Sequence, residues 1–360
     1  MLVWLDFLTP KQLLFLSAIG RKLASDGYDV LYTTRRYREV DELVKIRDIE
    51  VIVAGTYGGA TLEGKLAASA HRIEELSHII GPLKPDISLA SASPEAARTA
   101  FGLAIPHYTV NDSPHSRAVA RLTIPLADKL FSPAVIPKGM WLKLGATMGQ
   151  ITQYNGLDPL AWLTGLVPNK RVLEELGLND SAPIIVFRVE ESFASYLVGR
   201  ASQQSVTVPI VKDLLNGHGH GIGAQIVVLA RYPEQVPAVR KALPEEVVVP
   251  SKAVDGPSLL SFTSLFVGAG GTMTTEAALL GVPALSCYPG EPTIVERYLI
   301  RQGLVKRVTD PNRASTTIRG VLANLEDAHR NQGEKARSLM QKMENPADVI
   351  TRSIEEAFPL

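Results

Sequence analysis

The sequence predicts an α/β protein made of two Rossmann-like domains whose parallel sheets face a central cleft. Three observations predict it. Short apolar runs alternate with stretches of helical period, the alternation lapses once near the middle of the chain, and it then resumes. Strands that are apolar throughout and separated by helices suit a parallel sheet covered on both faces. Two such series exceed a single core, and 360 residues suit two domains of ordinary size.

In the first series the strand-like runs fall at residues 2–6, 28–33, 50–53, 86–90, 107–111, 129–132 and 150–154, with helical patterns at 11–25, 63–80, 94–101 and 116–122. Pro94 sits in a first helical turn, where its missing N–H is no loss. Lys84-Pro85-Asp86 stops a helix just ahead of a strand. Residues 155–182 carry Gly156, Pro159, Gly165 and Pro168 with one short helical piece at 171–176, so the first domain is read as 1–160 and the linker as 161–182. Strands then recur at 183–188, 224–230, 246–249, 264–267, 284–287 and 305–308, giving a second domain over 183–340. Residues 326–360 are charged and helical, broken at Asn345-Pro346.

Composition excludes several function classes. Hydrophobic residues at 46% and charged residues at 21% demand a packed core and exclude wholesale disorder. With 37 basic and 37 acidic residues the formal charge is zero, which excludes a protein that coats nucleic acid or an anionic membrane through a net field. The single cysteine, Cys287, has no internal partner, and no Cys/His cluster has zinc spacing, so a reducing, cytoplasmic setting is expected. No run approaches the roughly 20 apolar residues of a membrane span. The opening MLVWLDFLTPKQ has no basic stretch and carries Asp6 inside its apolar run, which reads as a buried first strand rather than a secretory leader.

The most informative stretch is 264–288, SLFVGAGGTMTTEAALLGVPALSCY. A buried strand runs into Gly268-Ala269-Gly270-Gly271, a helix follows with Thr272 as its N-cap, and Gly281-Val282-Pro283 ends that helix. Glycines allow backbone N–H groups close approach to a ligand and the helix start adds partial positive charge, an anion site suited to a diphosphate. Glu276 lies four residues past Thr272, on the same helix face, where a carboxylate can accept both hydroxyls of a ribose. A solvated helix glutamate is the alternative; a capping-box role is not, because the position three before it is Met273.

Further candidates lie at strand ends, where open α/β sheets bind ligands. Arg188 and Arg231 end strands of the second domain, and a guanidinium offers paired donors to a diphosphate; pairing with Glu190 or Glu234 is the alternative. In the first domain Asn111-Asp112-Ser113-Pro114-His115 follows a strand, with Asp112 and His115 as candidate general acid and base groups and an Asx turn as the alternative. Asp6 ends the first strand, and Ser93 and Glu95 open a helix on the same side. Residues 57–61 (Tyr57-Gly58-Gly59-Ala60-Thr61) read as a connector that could touch an acceptor. His218 and His220 lack the carboxylate or third ligand of a metal loop. Residues 136–144 mix lysines with apolar bulk, as in a packed amphipathic helix or a peripheral membrane contact.

Residues 270–283, GGTMTTEAALLGVP, resemble the nucleotide-binding segment of GT-B enzymes, notably the lipid-linked N-acetylglucosaminyltransferase of peptidoglycan synthesis and the non-hydrolysing UDP-N-acetylglucosamine 2-epimerases. Over nearly its whole length the chain also resembles a largely archaeal domain-of-unknown-function family of the same superfamily. Trp4-Leu5-Asp6, residues 93–98, Asn111-Asp112, Tyr154-Asn155-Gly156, residues 231–235, residues 255–258 and the glycine turn carry that likeness. The resemblance implies a GT-B-like fold, UDP-sugar binding mainly by the second domain, a last helix within 341–360 returning to the first, and Glu276 as the ribose-binding glutamate. After the first strand, where relatives tend to carry histidines, this chain has Lys11-Gln12-Leu13-Leu14.

The chain contains no D-x-D, the carboxylate pair that commonly clamps a metal against sugar-nucleotide phosphates. The expectation is therefore a metal-independent glycosyltransferase using a nucleotide sugar, with no cofactor: Gly270, Gly271 and Arg188 at the departing diphosphate, Glu276 at the ribose, and His115 or Asp112 deprotonating an acceptor. An epimerase that eliminates and re-adds UDP, with Asp6, Glu95 and Asp112 moving protons, and a non-catalytic nucleotide-sugar sensor are the alternatives.

Overall fold

A computed structural model describes residues 1–59, 61–190, 206–216, 223–232, 234–268 and 271–360. They form two compact units: Met1–Thr164 together with Met343–Leu360, and Gly165–Lys342.

The first unit holds β1 (Leu2–Asp6), β2 (Asp29–Arg36), β3 (Ile52–Thr56), β4 (Ile87–Ala90), β5 (His107–Val110), β6 (Lys129–Pro133) and β7 (Ile151–Tyr154). Its helices are α1 (Pro10–Ser25), α2 (Arg38–Ile46), α3 (Leu62–Leu83), α4 (Pro94–Gly102), α5 (Arg117–Thr123), α6 (Lys138–Leu142) and α7 (Leu160–Leu163). The strands lie in the order β3-β2-β1-β4-β5-β6-β7, every pair parallel. Val3, Trp4 and Leu5 are fully buried, as a central strand covered on both faces requires. The Trp4 indole N–H donates to Thr33 Oγ1 at 2.8 Å, so its polar end is satisfied inside the core. Helix α1 starts where its sequence says it should: Thr9 caps it by accepting from the Gln12 N–H and Pro10 occupies its first position. The chain leaves β1 toward β2 and β3, then crosses to β4, which makes the β1/β4 boundary the topological switch point.

The second unit holds α8 (Arg171–Glu175), β8 (Ile184–Arg188), α9 (Thr207–Asn216), β9 (Gln225–Leu229), α10 (Gln235–Ala242), α11 (Gly256–Ser261), β10 (Leu265–Gly268), α12 (Thr272–Leu279), β11 (Ala284–Ser286), α13 (Ile294–Arg301), β12 (Lys306–Arg307), α14 (Pro311–Leu322) and α15 (Leu325–Met340). Its parallel sheet runs β12-β11-β10-β8-β9, with the switch point between β8 and β10. Ile185, Phe187, Val228 and Leu265 meet Ile210, Val211 and Leu214 of α9 and Ala314 and Ile318 of α14 in one core. Each fully buried large aliphatic or aromatic side chain contributes about 1.5–3 kcal/mol. The last helix, α16 (Pro346–Ala357), belongs to the first unit and packs on α1.

Three elements differ from the sequence reading. β2 runs on to Arg36, past the expected end at 33, because beyond Thr33 its backbone still pairs with β3 although the side chains there are polar. Residues 246–249 form no sheet strand; Pro244 and Pro250 bracket them, and only a single bridge, Val227 to Val248, ties them beside β9. Helix α2 carries no run of apolar residues long enough to announce itself; only Val40 and Leu43 are buried. Among the described residues no helix is long and apolar enough to cross a membrane.

Candidate functional site

In the second unit β10 ends at Gly268 and α12 begins after Gly271. Gly271 is itself the N-cap, at φ +89, a conformation that side chains resist; Thr272 is therefore the first helical residue and not the cap that its hydroxyl suggests. Gly271 is exposed and, as a glycine, brings no side-chain cap bond to α12, so the opening N–H groups of the helix lack the usual cap acceptor. Gly270 lies outside the described residues.

Arg231 follows β9 and reaches this turn: a Cβ built on Gly271 would stand 3.7 Å from Arg231 Nη2. Its loop is braced from below. Gln235 Oε1 accepts from the backbone N–H of Arg231 at 2.8 Å and of Tyr232 at 3.1 Å. Arg188, at the end of β8, donates from Nη1 to the carbonyl of Ala230 at 2.8 Å, so it supports the Arg231 loop with one arm of its fork. Glu190 accepts from the N–H groups of Val206 and Thr207 at 2.8 and 2.9 Å and so caps the start of α9. Glu191 and Ser192, and likewise His218 and His220, lie outside the described residues.

Glu276, in the second turn of α12, is 2% exposed, where the sequence suggested a group presented on a helix face. Burial strengthens a carboxylate as an acceptor because water does not compete. Two nearby groups escape a reading by motif. Thr274 keeps a buried hydroxyl without a partner among the described residues, pressed against Gly268. Glu296, at the third position of α13, is 3% exposed; the Ser286 hydroxyl donates to one of its oxygens while Oε2 has no partner among the described residues. The signal for Glu296 was present as Thr293-x-x-Glu296, a capping-box spacing in the loop after β11, and Thr293 does cap α13. Cys287 is inert: burial, reinforced by Glu190, pushes its thiol up to about 12.

In the first unit Asp6 is fully buried at the β1/β4 switch point. Arg72 donates from Nη2 to its Oδ1 at 2.6 Å and from Nη1 to its Oδ2 at 3.2 Å, and Thr33 donates to Oδ1 at 2.6 Å. Burial raises its pKa, yet Arg72 and these bonds hold it below the ordinary value. With its lone pairs so engaged, Asp6 ties β1 to β2 and α3 within the first unit. Glu95, 7% exposed, stands 3.9 Å from Arg72 Nη1 and belongs to the same cluster; Ser93 caps α4 through the Ala96 N–H.

Asn111 and Asp112 divide the two expected roles between them. Asn111 Oδ1 accepts from the Ser113 N–H at 2.7 Å, which is the Asx turn. Asp112 instead meets Lys11 Nζ at 2.5 Å, and that same ammonium lies 2.8 Å from buried Asp158, whose other oxygen accepts from the Tyr154 hydroxyl at 2.5 Å. The two carboxylates are pushed apart. Burial raises both, but Lys11 wins at Asp112, which is lowered, whereas burial and the Asp112 charge leave Asp158 raised. His115 is exposed in its side chain's own surface, yet its pKa is lowered, chiefly by the surrounding protein mass and further by Lys11, against the pull of Asp112. Trp141 of α6 is fully buried and donates to Ser132 Oγ at 2.8 Å, so residues 136–144 pack inward there.

These features can be set beside known proteins. The chain matches the family described as "Protein of unknown function (DUF354)" over residues 1–357. It is 30% identical to an uncharacterised protein of Methanocaldococcus jannaschii over 353 residues, 97% of this chain and 96% of that one. Among solved structures it is similar to the UDP-GlcNAc 2-epimerase of Neisseria meningitidis bound to UDP-GlcNAc, with a TM-score of 0.68 at 16% identity over 99% of this chain and 100% of that one. It is also similar to the Anabaena protein HepE in complex with UDP-glucose, with a TM-score of 0.65 at 13% identity over 99% of each chain. Two parallel sheets and these likenesses give the chain a GT-B-like α/β fold.

Proposed function

The chain belongs to the DUF354 family, and from that footing we propose that it is a metal-independent, GT-B-type glycosyltransferase that draws its sugar from a nucleoside diphosphate, with UDP as the nucleotide. The observation that carries the reading is the approach of Arg231 to Gly271: Nη2 stands 3.7 Å from where a Gly271 Cβ would be, at the start of a helix whose N-cap residue supplies no side-chain bond. Cation and helix N-terminus together form a site for a diphosphate that gains charge as it departs. That structural neighbours carry UDP, UDP-GlcNAc and UDP-glucose supports the nucleotide assignment. Glu276 would take the ribose hydroxyls, and Arg188 would steady Arg231.

In the transfer itself an acceptor oxygen bonds to the sugar's anomeric carbon as the bond from that carbon to the β-phosphate oxygen breaks. The diphosphate leaves with the electron pair, and the acceptor proton passes to a base. His115 suits that role: desolvation by the surrounding protein lowers its pKa from the ordinary value, which favours the neutral ring that can accept a proton. Asp112, ionised beside Lys11, would orient it. Asp6 and Glu95 would hold the first unit's loops rather than move protons.

One observation favours a second reading. Asp112 and Asp158 share Lys11 with pKa values displaced in opposite directions, the arrangement expected of an acid and base that eliminate and re-add UDP, as an epimerase does. A thermal-shift panel of nucleoside diphosphates and their sugars on the parent and on Glu276→Ala tests the site. UDP and UDP-sugars should raise the parent's melting point by mass action and raise that of the variant less. No shift with any nucleotide ends the reading. Release of UDP that needs an added acceptor identifies the transferase; interconversion of UDP-sugar epimers without one identifies the epimerase; binding without turnover identifies a sensor.

A further inference from the structure

At the carboxyl ends of β2 and β3 stands a cation that the chemistry above does not use. The Arg35 guanidinium carbon lies 5.1 Å from the centroid of the Tyr57 ring and 5.8 Å from that of Tyr37. The two rings are themselves 5.1 Å apart at 42°. Arginine packed over tyrosine rings gains cation–π attraction and is held in one orientation, with its N–H edge left for a planar anion. A shift in the β2/β3 register between Thr34 and Arg36 sets the local backbone around Arg35.

The charge around Arg35 is not balanced on its behalf. Its Nε is buried and has no hydrogen-bond partner among the described residues. Burial lowers its pKa most, Glu95 opposes this, and the like charge of Arg72 adds to it. Glu95 is a shared counter-charge, standing 3.9 Å from Arg72 and 3.5 Å from the Ser93 hydroxyl. A half-buried cation, pressed by another cation and with no carboxylate of its own among the described residues, is costly to keep unless something else supplies the anion. The carboxyl ends of strands in an open α/β sheet are where ligands bind.

We propose that Arg35, presented by Tyr37 and Tyr57, is an anion subsite of the first unit that receives the phosphate or carboxylate of a sugar-like acceptor. The word acceptor rests on the transferase reading above; the binding does not. The anion would bridge the N–H edge of Arg35 in two parallel hydrogen bonds, which a neutral sugar cannot do.

The test titrates glucose 6-phosphate, glucuronate and glucose into the full chain, followed by ligand-observed NMR, with UDP titrated separately into the same samples. At least one acidic probe should bind about tenfold more tightly than glucose, and whichever acid prevails identifies the phosphate or the carboxylate as the recognised group. In Arg35→Gln that preference should vanish, and in Arg35→Lys it should survive in part, since a lysine keeps the charge but loses the fork. Should Arg35→Gln fail to fold, Tyr57→Leu should weaken the acidic probes severalfold and leave glucose unchanged. Equal binding of all three probes by the parent, or an intact preference in folded Arg35→Gln, overturns the proposal. Loss of UDP binding alone, with acid preference retained, strikes the nucleotide reading and spares this one.

Discussion

Arg72 lies on a helix of which only it, Leu76 and Ile80 are buried, and it is 1% exposed. Its Nε donates to the carbonyl of Ala54 at 2.9 Å while its two Nη groups serve Asp6. Removing the cation alone strands a buried carboxylate. Arg72→Met should therefore cost about 3–5 kcal/mol in a urea titration, and adding Asp6→Asn should recover much of it. An unchanged urea midpoint would show the pair to be dispensable. A strand-end acid such as Asp6 could be read from the sequence as buried; its partner could not, because a helical arginine beside His71 and just ahead of Glu74 and Glu75 reads as solvated. Lys11 and Asp158 stayed hidden for the same reason, each plain in its own segment and joined only by the fold. His107 gives the pH dependence. Burial lowers its pKa from 6.5 to about 4, against the charges of Asp6 and Asp128. Between those values the unfolded chain holds a proton that the folded chain does not, so stability must fall as pH falls through that window, by up to about 1.4 kcal/mol per pH unit. Asp6 and Asp112, both lowered, are lost only at still lower pH. Denaturation midpoints of His107→Asn should flatten between pH 6.5 and 4 relative to the parent; parallel curves would count against it.

Elements were legible where apolar runs were long and both faces buried, as in β1 and β8, and least where pairing or a turn decides the outcome. The irregular junction of β2 and β3 is the instructive case. Gly55 adopts φ +75, its N–H donates to Glu75 Oε2 at 2.6 Å, and the register slips beside it. A Cβ there would come within 2.8 Å of the Cβ and Cγ atoms of Arg72. Gly55→Ala should thus meet both backbone strain and a clash against the residue that anchors Asp6, at about 2 kcal/mol or more. Equilibrium unfolding would measure it, and a cost below about 0.5 kcal/mol would mean that the junction yields easily. Residues 246–249 failed as a strand for the opposite reason: the run is apolar, but prolines at both ends leave one bridge only. In the site, strand, glycines and Glu276 were visible as a pattern. The approach of Arg231 to Gly271 depends on how neighbouring strands align their ends, which no local pattern reports, whereas Glu296 stood in a capping-box spacing that was legible.

At the scale of the whole molecule the two units differ in how they use the chain. The second is continuous, from Gly165 to Lys342, and Arg188, Arg231, Gly271, Glu276 and Glu296 all lie within it. The first is completed from the far end of the sequence. Ile350 and Ile354 of α16 are fully buried, Lys129 donates to Ser353 at 2.7 Å, and the Tyr28 hydroxyl donates to the carbonyl of Phe358 at 2.8 Å. Cutting the chain after residue 342 would uncover apolar surface on α1 and leave the first unit short of part of its core, whereas residues 165–342 are one uninterrupted stretch with a core of their own. A fragment of residues 165–342 should therefore fold alone and bind UDP within about tenfold of the full chain, and residues 1–342 should melt earlier or aggregate. Calorimetric titration of UDP into the fragment decides between two kinds of site. Retained binding means that Arg231, the start of α12 and Glu276 suffice for the nucleotide. Binding lost from a fragment with native circular dichroism means that the diphosphate needs groups from the first unit, and the roles given to Lys11, Asp112 and His115 would then extend from the acceptor to the nucleotide itself.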